Sequence, residues 1–220
     1  MGLVKEFLPI SKEKLCIDHT IEQMMKVPVG RIYIVTSPIK AAYHMNVLGN
    51  ERLGIPISYL CQRIPSGLGA AVLESEKAIS LEDSRVCFMM PDTIISPDDA
   101  LKQLSHHQES LVLGVHQVKN PQDFGVVSFD DRGNPVRIED KPTHPESNWV
   151  WSCAVFDVGL YEILRTLTPI RGEIQLTDAF SHHLNEHSDR TRVVQFSEGS
   201  YIDVGNLATY HDLRLNSDSK

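Results

Sequence analysis

The sequence predicts an α/β fold, a mostly parallel sheet flanked by helices, and two observations support it. Short apolar runs alternate with longer amphipathic segments, which is the pattern of a parallel sheet covered by helices. The 220 residues are 41% hydrophobic, which is enough to fill one large core. No stretch rich in Pro, Gly or Ser divides the chain. We therefore expect one domain over residues 1–215 and a flexible polar tail over 216–220.

The individual elements follow from periodicity and from turn residues. Ile21, Met24 and Met25 share one face of the first helix, and the run RIYIVT is a β-branched strand. The turn at 131–134 joins two short runs, which is typical of a hairpin at an insertion or a sheet edge. We expect helices at 18–27, 67–78, 100–107, 159–167 and 175–186, and strands at 31–36, 57–61, 86–90, 111–117, 125–129, 135–139, 151–156, 192–196 and 201–204.

The composition of the chain indicates which partners and which cellular compartment to expect. The formal charge of -8 and the absence of a basic run argue against a nucleic-acid surface. No apolar stretch has the length of a signal peptide or a membrane span, so we expect a cytoplasmic protein without membrane contact. The four cysteines stand far apart without a CxxC pair, which predicts buried, reduced thiols.

Two carboxylates lie in or next to apolar strands. Asp92 comes directly after one strand, at the carboxyl end where ligands bind in open α/β sheets, and Asp203 lies within another. An unpaired carboxylate in such a strand is costly, and two of them can share one Mg²⁺ ion. A turn or a helix cap is the competing interpretation of Asp92, because Ser-Pro-Asp-Asp starts a helix soon after it.

Two further segments suit contacts with phosphates or bases. Glycine and alanine follow a strand in residues 62–71, so a flat ligand or a phosphate can approach the backbone there, although tight packing of a helix on the sheet favours the same residues. Lys141 precedes a proline at the end of a hairpin strand. It either presents a rigid ammonium to a phosphate or belongs to a charged surface turn.

These segments, in this order, resemble those of the sugar-phosphate nucleotidyltransferases of the glucose-1-phosphate thymidylyltransferase type, over nearly the whole chain. The similar stretches are KEFLPI from Lys5, IDHTIEQ from Ile17, QRIPSGLGAA from Gln62, FGVV from Phe124 and DKP from Asp140. The resemblance implies a Rossmann-like nucleotide-diphospho-sugar transferase fold. It also implies transfer of a nucleotidyl group from a nucleoside triphosphate, dTTP or UTP, to a sugar 1-phosphate such as glucose 1-phosphate.

The resemblance implies a role for each matching residue. Asp92 and Asp203 would be catalytic and would hold Mg²⁺, and Lys5 would grip the nucleotide phosphates. Nucleotide-binding residues would be Gln62, Pro65, Gly67 and Leu68, and residues on the sugar side would be Gly125, Asp140, Lys141 and Tyr201.

Departures from the family pattern limit what the resemblance implies. Phe124 stands where tyrosine is usual, Asp140 where glutamate is usual and Tyr201 where tryptophan is common, so the sugar stays open. The family's first strand and its Gly-Gly-x-Gly-Thr-Arg loop would lie before Lys5, and residues 1–4 do not match them. We therefore expect a missing first strand, weaker binding of the triphosphate and a tendency to form homo-oligomers. The alternative function is that of an impaired or truncated homologue that binds nucleotide sugar as a regulatory module.

Histidines and tryptophans allow two interpretations each. His183 and His187 are spaced to bind a metal on one helix face, but we expect His182, His183 and His187 to be solvated helix residues, because no metalloprotease-type glutamate stands between them. Trp149 and Trp151 flank the start of a strand. We expect Trp151 to pack in the core, since it begins an apolar run, and a sugar-stacking role is the alternative.

Overall fold

A computed structural model describes residues 4–79, 85–205 and 210. Within them the α-helices are α1 (Cys16–Met25), α2 (Pro38–Leu48), α3 (Leu68–Glu76), α4 (Ala100–Ser105), α5 (Leu160–Thr166) and α6 (Leu176–Glu186). No helix among these residues is long and apolar enough to cross a membrane. The predicted tail at 216–220 lies outside the described residues.

Among the described α-helices, α2 is the one that the sequence analysis did not predict. The Ser37 hydroxyl accepts a hydrogen bond from the Lys40 amide, Pro38 occupies the first helical turn, and Gly49 ends the helix at φ +67°. Serine, proline and glycine at these positions are standard helix start and stop signals. The signals were present in the sequence, but the helix has only two buried residues, His44 and Leu48, so its apolar periodicity is weak.

The strands of the described residues form three sheets. They are β1 (Ile32–Thr36), β2 (Glu51–Arg52), β3 (Ile55–Cys61), β4 (Arg85–Met89), β5 (Thr93–Ile95), β6 (Leu111–Gln117), β7 (Gly125–Phe129), β8 (Pro135–Asp140), β9 (Trp149–Asp157), β10 (Thr191–Gln195) and β11 (Tyr201–Asp203). The main sheet has the order β10-β6-β9-β7-β8, with β4 also paired to β9. A smaller sheet has the order β1-β3-β2, and β5 pairs with β11.

The predicted α/β class is confirmed, but the sheet is mixed rather than mostly parallel. Strands β1 and β3 are parallel, as are β10 and β6, whereas β9 is antiparallel to β4, β6 and β7. Strand β9 is an almost continuous buried run. Such a run predicts burial on both faces of a sheet and carries no information on strand direction, which is why the prediction of parallel pairing was wrong here.

Helices cover both faces of the main sheet. Leu111, Leu113 and Val115 of β6 point into a core shared with α3, α5 and α6, while Val112 points into a second core shared with α4. Ile32 of β1 packs in a third core with α1 and α2. The alternation along β6 follows the two-residue period of a strand, whose successive side chains point to opposite faces of the sheet.

Several predicted environments hold and others need correction. Cys16 and Cys153 are buried, and burial raises the pKa of each thiol to about 12. Cys87 is half-buried and Cys61 at the end of β3 is exposed, so the prediction of four buried thiols was wrong for Cys61 and holds only in part for Cys87. His183 is buried rather than solvated. Its Nδ1 lies 3.0 Å from the Thr191 hydroxyl, which holds α6 against the start of β10.

Candidate active site

The structure brings most of the predicted site residues into one cleft of about 270 Å³. The cleft opens where the loop after β4, the end of the β7–β8 hairpin and the β11 strand meet. The predicted residues that line it are Leu68, Asp92, Gly125, Asp140, Lys141, Tyr201 and Asp203. Lys5, Gln62, Pro65 and Gly67 do not line it.

Asp92 and Asp203 are brought together by the short β5–β11 ribbon. Thr93 in β5 is opposite Asp203 in β11, and the Val204 amide donates a hydrogen bond of 3.1 Å to the Asp92 carbonyl oxygen. Burial raises the pKa of Asp92, and the neighbouring Asp203 raises it further. Two carboxylates that disfavour each other's charge inside one cleft form a site where a cation is electrostatically favoured.

The donor set of this cleft fits Mg²⁺ when phosphate oxygens complete it. Among residues 4–79, 85–205 and 210, no group of three or more His, Cys, Asp or Glu side chains is placed to hold a metal ion. Asp92 and Asp203 supply two carboxylates, and Mg²⁺ is commonly held by one or two carboxylates together with water and substrate phosphates. The two aspartates are therefore the residues that would hold the ion, with the substrate providing further ligands.

Lys5 stands next to this carboxylate pair, on the short turn Lys5–Phe7. A Cβ placed on Gly205 would be 2.7 Å from both Lys5 Nζ and Asp203 Oδ1, so glycine at position 205 leaves room for the ammonium to approach the carboxylate. The charge of Lys5 also opposes the rise in the pKa of Asp92. Lys5 is exposed, so its ammonium remains accessible to a phosphate.

The β7–β8 hairpin builds the predicted sugar side of the cleft. Gly125 is opposite Asp140 across the hairpin, and the Lys141 amide donates a hydrogen bond of 2.9 Å to the Phe124 carbonyl oxygen. Lys141 has φ +46°, a backbone conformation that is uncommon for a residue other than glycine. The hairpin therefore holds Lys141 in a specific orientation at the edge of the cleft.

Aromatic rings form the inner wall of the cleft on the predicted sugar side. The Trp151 indole N–H donates to the Thr177 hydroxyl at 3.1 Å, and Trp151 is 8% exposed, so the predicted packing role is confirmed while the residue also lines the cleft. Phe124 meets Tyr201 edge to face, with ring centroids 5.2 Å apart. Burial, and then the neighbouring Asp203, raises the pKa of Tyr201, so its hydroxyl stays protonated as a potential donor.

The segment predicted to bind the nucleotide lies between β3 and α3, beside the cleft. Gly67 has φ +96°, and a Cβ there would collide with the Ile174 carbonyl group. The Gly69 amide donates to that carbonyl at 2.8 Å, and the Ile174 amide donates to the Ser66 carbonyl oxygen at 2.8 Å. Close packing therefore accounts for these glycines. Gln62 Nε2 lies 3.4 Å from the Gly67 carbonyl oxygen and is only partly buried, so its amide can reach a ligand.

The sequence analysis missed several residues of the cleft and its support, among them Thr93, Asp123, Ser152 and Glu6. Ser152 had a detectable signal, because it interrupts the apolar run of β9. Its hydroxyl lies 2.8 Å from Nδ1 of the buried His116, whose Nε2 donates to the Ser96 carbonyl oxygen at 2.8 Å. Glu6, for which the sequence analysis made no prediction, is buried beside Lys5.

The α/β fold and the carboxylate-bearing cleft suit a protein that binds phosphates together with a cation. The family described as Nucleotidyl transferase matches residues 1–219, and the chain belongs to this family.

Particular relatives and solved structures match this chain over almost its whole length. The chain is 30% identical over 218 residues to the glucose-1-phosphate thymidylyltransferase of Neisseria meningitidis serogroup A, covering 96% of this chain and 74% of that protein. It is 28% identical to the Mycobacterium tuberculosis protein of the same name, with the same coverage. A solved UDP-glucose pyrophosphorylase in complex with UDP-glucose superposes with a TM-score of 0.79 at 23% identity, over 96% of this chain and 89% of that one. A Bacillus anthracis protein solved in complex with sucrose gives a TM-score of 0.84 at 22% identity, over 97% and 86%.

Proposed function

We propose that this chain transfers a nucleotidyl group from a nucleoside triphosphate, dTTP or UTP, to a sugar 1-phosphate such as glucose 1-phosphate. The products are a nucleotide sugar and pyrophosphate. The observation that carries the proposal is that Asp92 and Asp203 open into the same small cleft as Lys141 and the aromatic wall. Carboxylates for a cation and a cationic side chain for a phosphate are the groups that phosphoryl-type transfer needs.

In this reaction an oxygen of the sugar phosphate attacks the α-phosphorus in line. The new P–O bond forms as the bond between the α-phosphorus and the bridging oxygen breaks, and pyrophosphate leaves with the electron pair, so no covalent enzyme intermediate is needed. Lys141 binds the sugar phosphate, and Lys5 binds the nucleotide phosphates beside Asp203. Mg²⁺ held by Asp92 and Asp203 would offset phosphate charge and align the reacting groups. The protein's main contribution is orientation, which can supply several orders of magnitude in rate.

The relatives support this choice of substrates. The Neisseria and Mycobacterium proteins are named glucose-1-phosphate thymidylyltransferases, and the solved pyrophosphorylase holds UDP-glucose. Gln62 presents both an amide donor and a carbonyl acceptor, which serves thymine and uracil alike. The wall of Phe124 and Tyr201 offers ring edges and one hydroxyl to the sugar, so we expect the sugar to be read by shape as well as by hydrogen bonds.

Pyrophosphate release by the purified protein with Mg²⁺, glucose 1-phosphate and either dTTP or UTP tests this proposal. We expect Asp92→Ala and Asp203→Ala each to lower turnover by at least about a hundredfold, because each removes a group that contacts reacting charge. Asp131→Ala is the matched control, since Asp131 is exposed in the β7–β8 turn away from the cleft. Turnover that survives in both cleft variants would contradict the assignment.

The regulatory alternative gives a different result in the same preparation. If the chain is a regulatory module, calorimetric titration shows that it binds UDP-glucose or dTDP-glucose and that this binding depends on Trp151 and Lys141. The same protein releases no pyrophosphate with any of the substrates. Turnover together with binding of the nucleotide-sugar product supports the proposal that the chain is an enzyme.

A further inference from the structure

His116, near the end of β6, is fully buried between the wall of the cleft and the ribbon that carries Asp203. Its Nδ1 lies 2.8 Å from the Ser152 hydroxyl, and its Nε2 donates to the Ser96 carbonyl oxygen at 2.8 Å. Ser152 lines the cleft, and Ser96 directly follows β5. One buried ring therefore joins the main sheet to the β5–β11 ribbon.

The two hydrogen bonds of His116 have a defined direction. A carbonyl oxygen can only accept, so Nε2 carries a proton. Burial lowers the pKa of His116, although the hydrogen bond to Ser96 opposes this shift, so the neutral ring is favoured at pH 7. In the neutral ring Nδ1 accepts from the Ser152 hydroxyl. A buried polar network of this kind fixes the relative positions of the groups that it joins.

The position of Ser152 depends on a bulge in β9. Gly114 of β6 is opposite Cys153, and the next residue of β6 is opposite Trp151. Ser152, which lies between these two residues of β9, is therefore the extra residue of a bulge. Consequently Trp151 and Cys153 pack in different cores, although residues two apart in a regular strand share one face. Bulges beside active sites commonly redirect a side chain, and this one directs the Ser152 hydroxyl to the buried imidazole.

Ser96 connects the imidazole to the start of β11. Among the described residues, β5 and β11 pair with each other and with no strand of the main sheet. The Ser96 amide donates to the Ser200 carbonyl oxygen at 3.0 Å, and the Ser200 amide donates to the Ser96 hydroxyl at 2.8 Å. Ser200 directly precedes Tyr201, the first residue of β11. The position of Ser96 therefore determines where β11, which carries both Tyr201 and Asp203, begins.

Aromatic packing holds the ring of His116 in the same place. The ring stacks on Phe196 with centroids 5.1 Å apart, and it lies 6.3 Å from the ring of Tyr201. A Cβ on Gly199 would collide with the Ser96 carbonyl oxygen and lie 3.0 Å from the imidazole, so the chain before β11 is closely fitted around this hydrogen bond. A displacement of the ring would therefore shift both Ser96 and Tyr201.

We propose that His116 is a positioning residue for the proposed transfer reaction, because it fixes the ribbon that carries Asp203 against the cleft wall at Ser152. His116 does not itself line the cleft, so it acts through the ribbon. A misplacement of reacting groups by about 1 Å can lower a rate by about a hundredfold. The effect on turnover rests on the proposed function, whereas the effect on the ribbon can be measured without it.

Two substitutions that differ by one methylene group test this role. In His116→Gln the side-chain amide reaches the position of Nε2 and can still donate to Ser96, whereas in His116→Asn it reaches only the position of Nδ1. We expect His116→Asn to lower kcat about twentyfold and to change KM for the nucleoside triphosphate by less than about twofold. We expect His116→Gln to keep at least about a third of the wild-type kcat. His106→Asn, at an exposed position after α4, is the matched control and should leave both constants unchanged.

Hydrogen exchange measures the attachment of the ribbon directly. We expect exchange in residues 93–95 and 201–203 to be about tenfold faster in His116→Asn than in the wild type, with residues 111–115 and 149–155 unchanged. The ribbon of His116→Gln should exchange as in the wild type. Unchanged exchange of the ribbon in His116→Asn would overturn the proposal.

The remaining outcomes separate positioning from stability and from the proposed function. Exchange that rises equally in the ribbon and the main sheet would show a general loss of stability and would overturn the proposal. Faster exchange of the ribbon with an unchanged kcat would also overturn it, because the ribbon would then move without consequence for the reaction. If the wild type releases no pyrophosphate while the ribbon responds as expected, the proposed function fails and the attachment of the ribbon by His116 is supported.

Discussion

The imidazole Nε2 of His44 lies 2.8 Å from a carboxylate oxygen of Glu6, and both side chains are buried. The other ring nitrogen lies 2.6 Å from the Thr36 hydroxyl. Because the ionised Glu6 carboxylate can only accept, Nε2 of His44 carries a proton and donates to it. This contact ties helix α2 and the end of β1 to the turn that carries Lys5, so helix α2, which does not line the cleft, helps to place Lys5 beside the two aspartates.

We expect Glu6→Gln to lower stability and to flatten the acid side of the stability profile. Burial raises the pKa of Glu6, but the His44 hydrogen bond, the turn backbone and Lys40 outweigh it, and the net pKa is lowered from 4.5. The charged form is thus favoured in the fold, and its stabilisation is lost as pH falls below about 4.5. At pH 7 the variant should melt about 3 °C lower, measured by calorimetry. Exposed Glu13→Gln is the control, and an unchanged acid slope in Glu6→Gln would refute the prediction.

His183 should cause a second loss of stability on acidification, which begins at a higher pH than the loss caused by Glu6. Burial lowers its pKa from 6.5 to about 4, with His187 and Arg190 adding to the effect. The neutral form is favoured in the fold, so stability is full above pH 6.5 and is lost as pH falls from 6.5 towards 4. We expect His183→Gln to remove most of this slope in melts at closely spaced pH values. His144→Gln, at an exposed site, should keep the wild-type slope; a slope that survives in His183→Gln would contradict this origin.

Asp92→Asn should raise the stability of the protein and abolish its activity. Burial and Asp203 raise the pKa of Asp92, so the ionised carboxylate destabilises the free protein increasingly as pH rises through the range between its unfolded and folded values. The neutral amide removes that cost, and we expect a melting temperature about 3 °C higher at pH 7 without substrate. Pyrophosphate release should be lost in the same variant. Asp131→Asn serves as the control for both measurements, and a melting temperature below wild type in Asp92→Asn would count against the electrostatic argument.

Gly125→Ala should damage the sugar side of the cleft selectively. A methyl group there would collide with the Trp151 indole and lie 2.9 Å from the Thr177 hydroxyl. Trp151 must move, at a cost of about 2 kcal/mol for an overpacked site. We expect KM for the sugar phosphate to rise about tenfold, with a smaller change in KM for the nucleotide. Gly159→Ala, where nothing lies within 4 Å of the new Cβ, should leave both constants unchanged.

The part of the candidate site that could be predicted from the sequence consists of residues within or at the ends of strands. Asp92 and Asp203 were recognisable as lone carboxylates in apolar surroundings, and Lys141 by its place before a proline. What joins the two aspartates is the β5–β11 ribbon, and strand β5 was not predicted, because three residues are too short for a periodic pattern. The strand positions of the two aspartates allowed them to share one ion, and the family resemblance implied that they do, but the pairing of β5 with β11 across more than a hundred residues leaves no local signal.

Buried polar groups were the least predictable part of the molecule. Glu6 and His183 carry the residue types of a solvated surface, and only the tertiary contacts with His44 and with Thr191 explain their burial. Strand order likewise escaped prediction, since the continuous apolar run of β9 suits parallel and antiparallel neighbours equally. Cys61 was misjudged because an apolar run can end at the surface.

The late position of Asp203 in the chain has a consequence for biosynthesis. Its place opposite Thr93 requires a contact between residues that leave the ribosome more than a hundred residues apart. Earlier segments can collapse onto each other while synthesis continues at about 5–20 residues per second. Asp92 and Asp203 cannot come together until strand β11, the last described strand, has left the ribosome. A nascent chain arrested before that strand would hold much of the core but would lack the proposed cation site, so cation-dependent nucleotide binding, if the proposed function holds, would report the docking of β11.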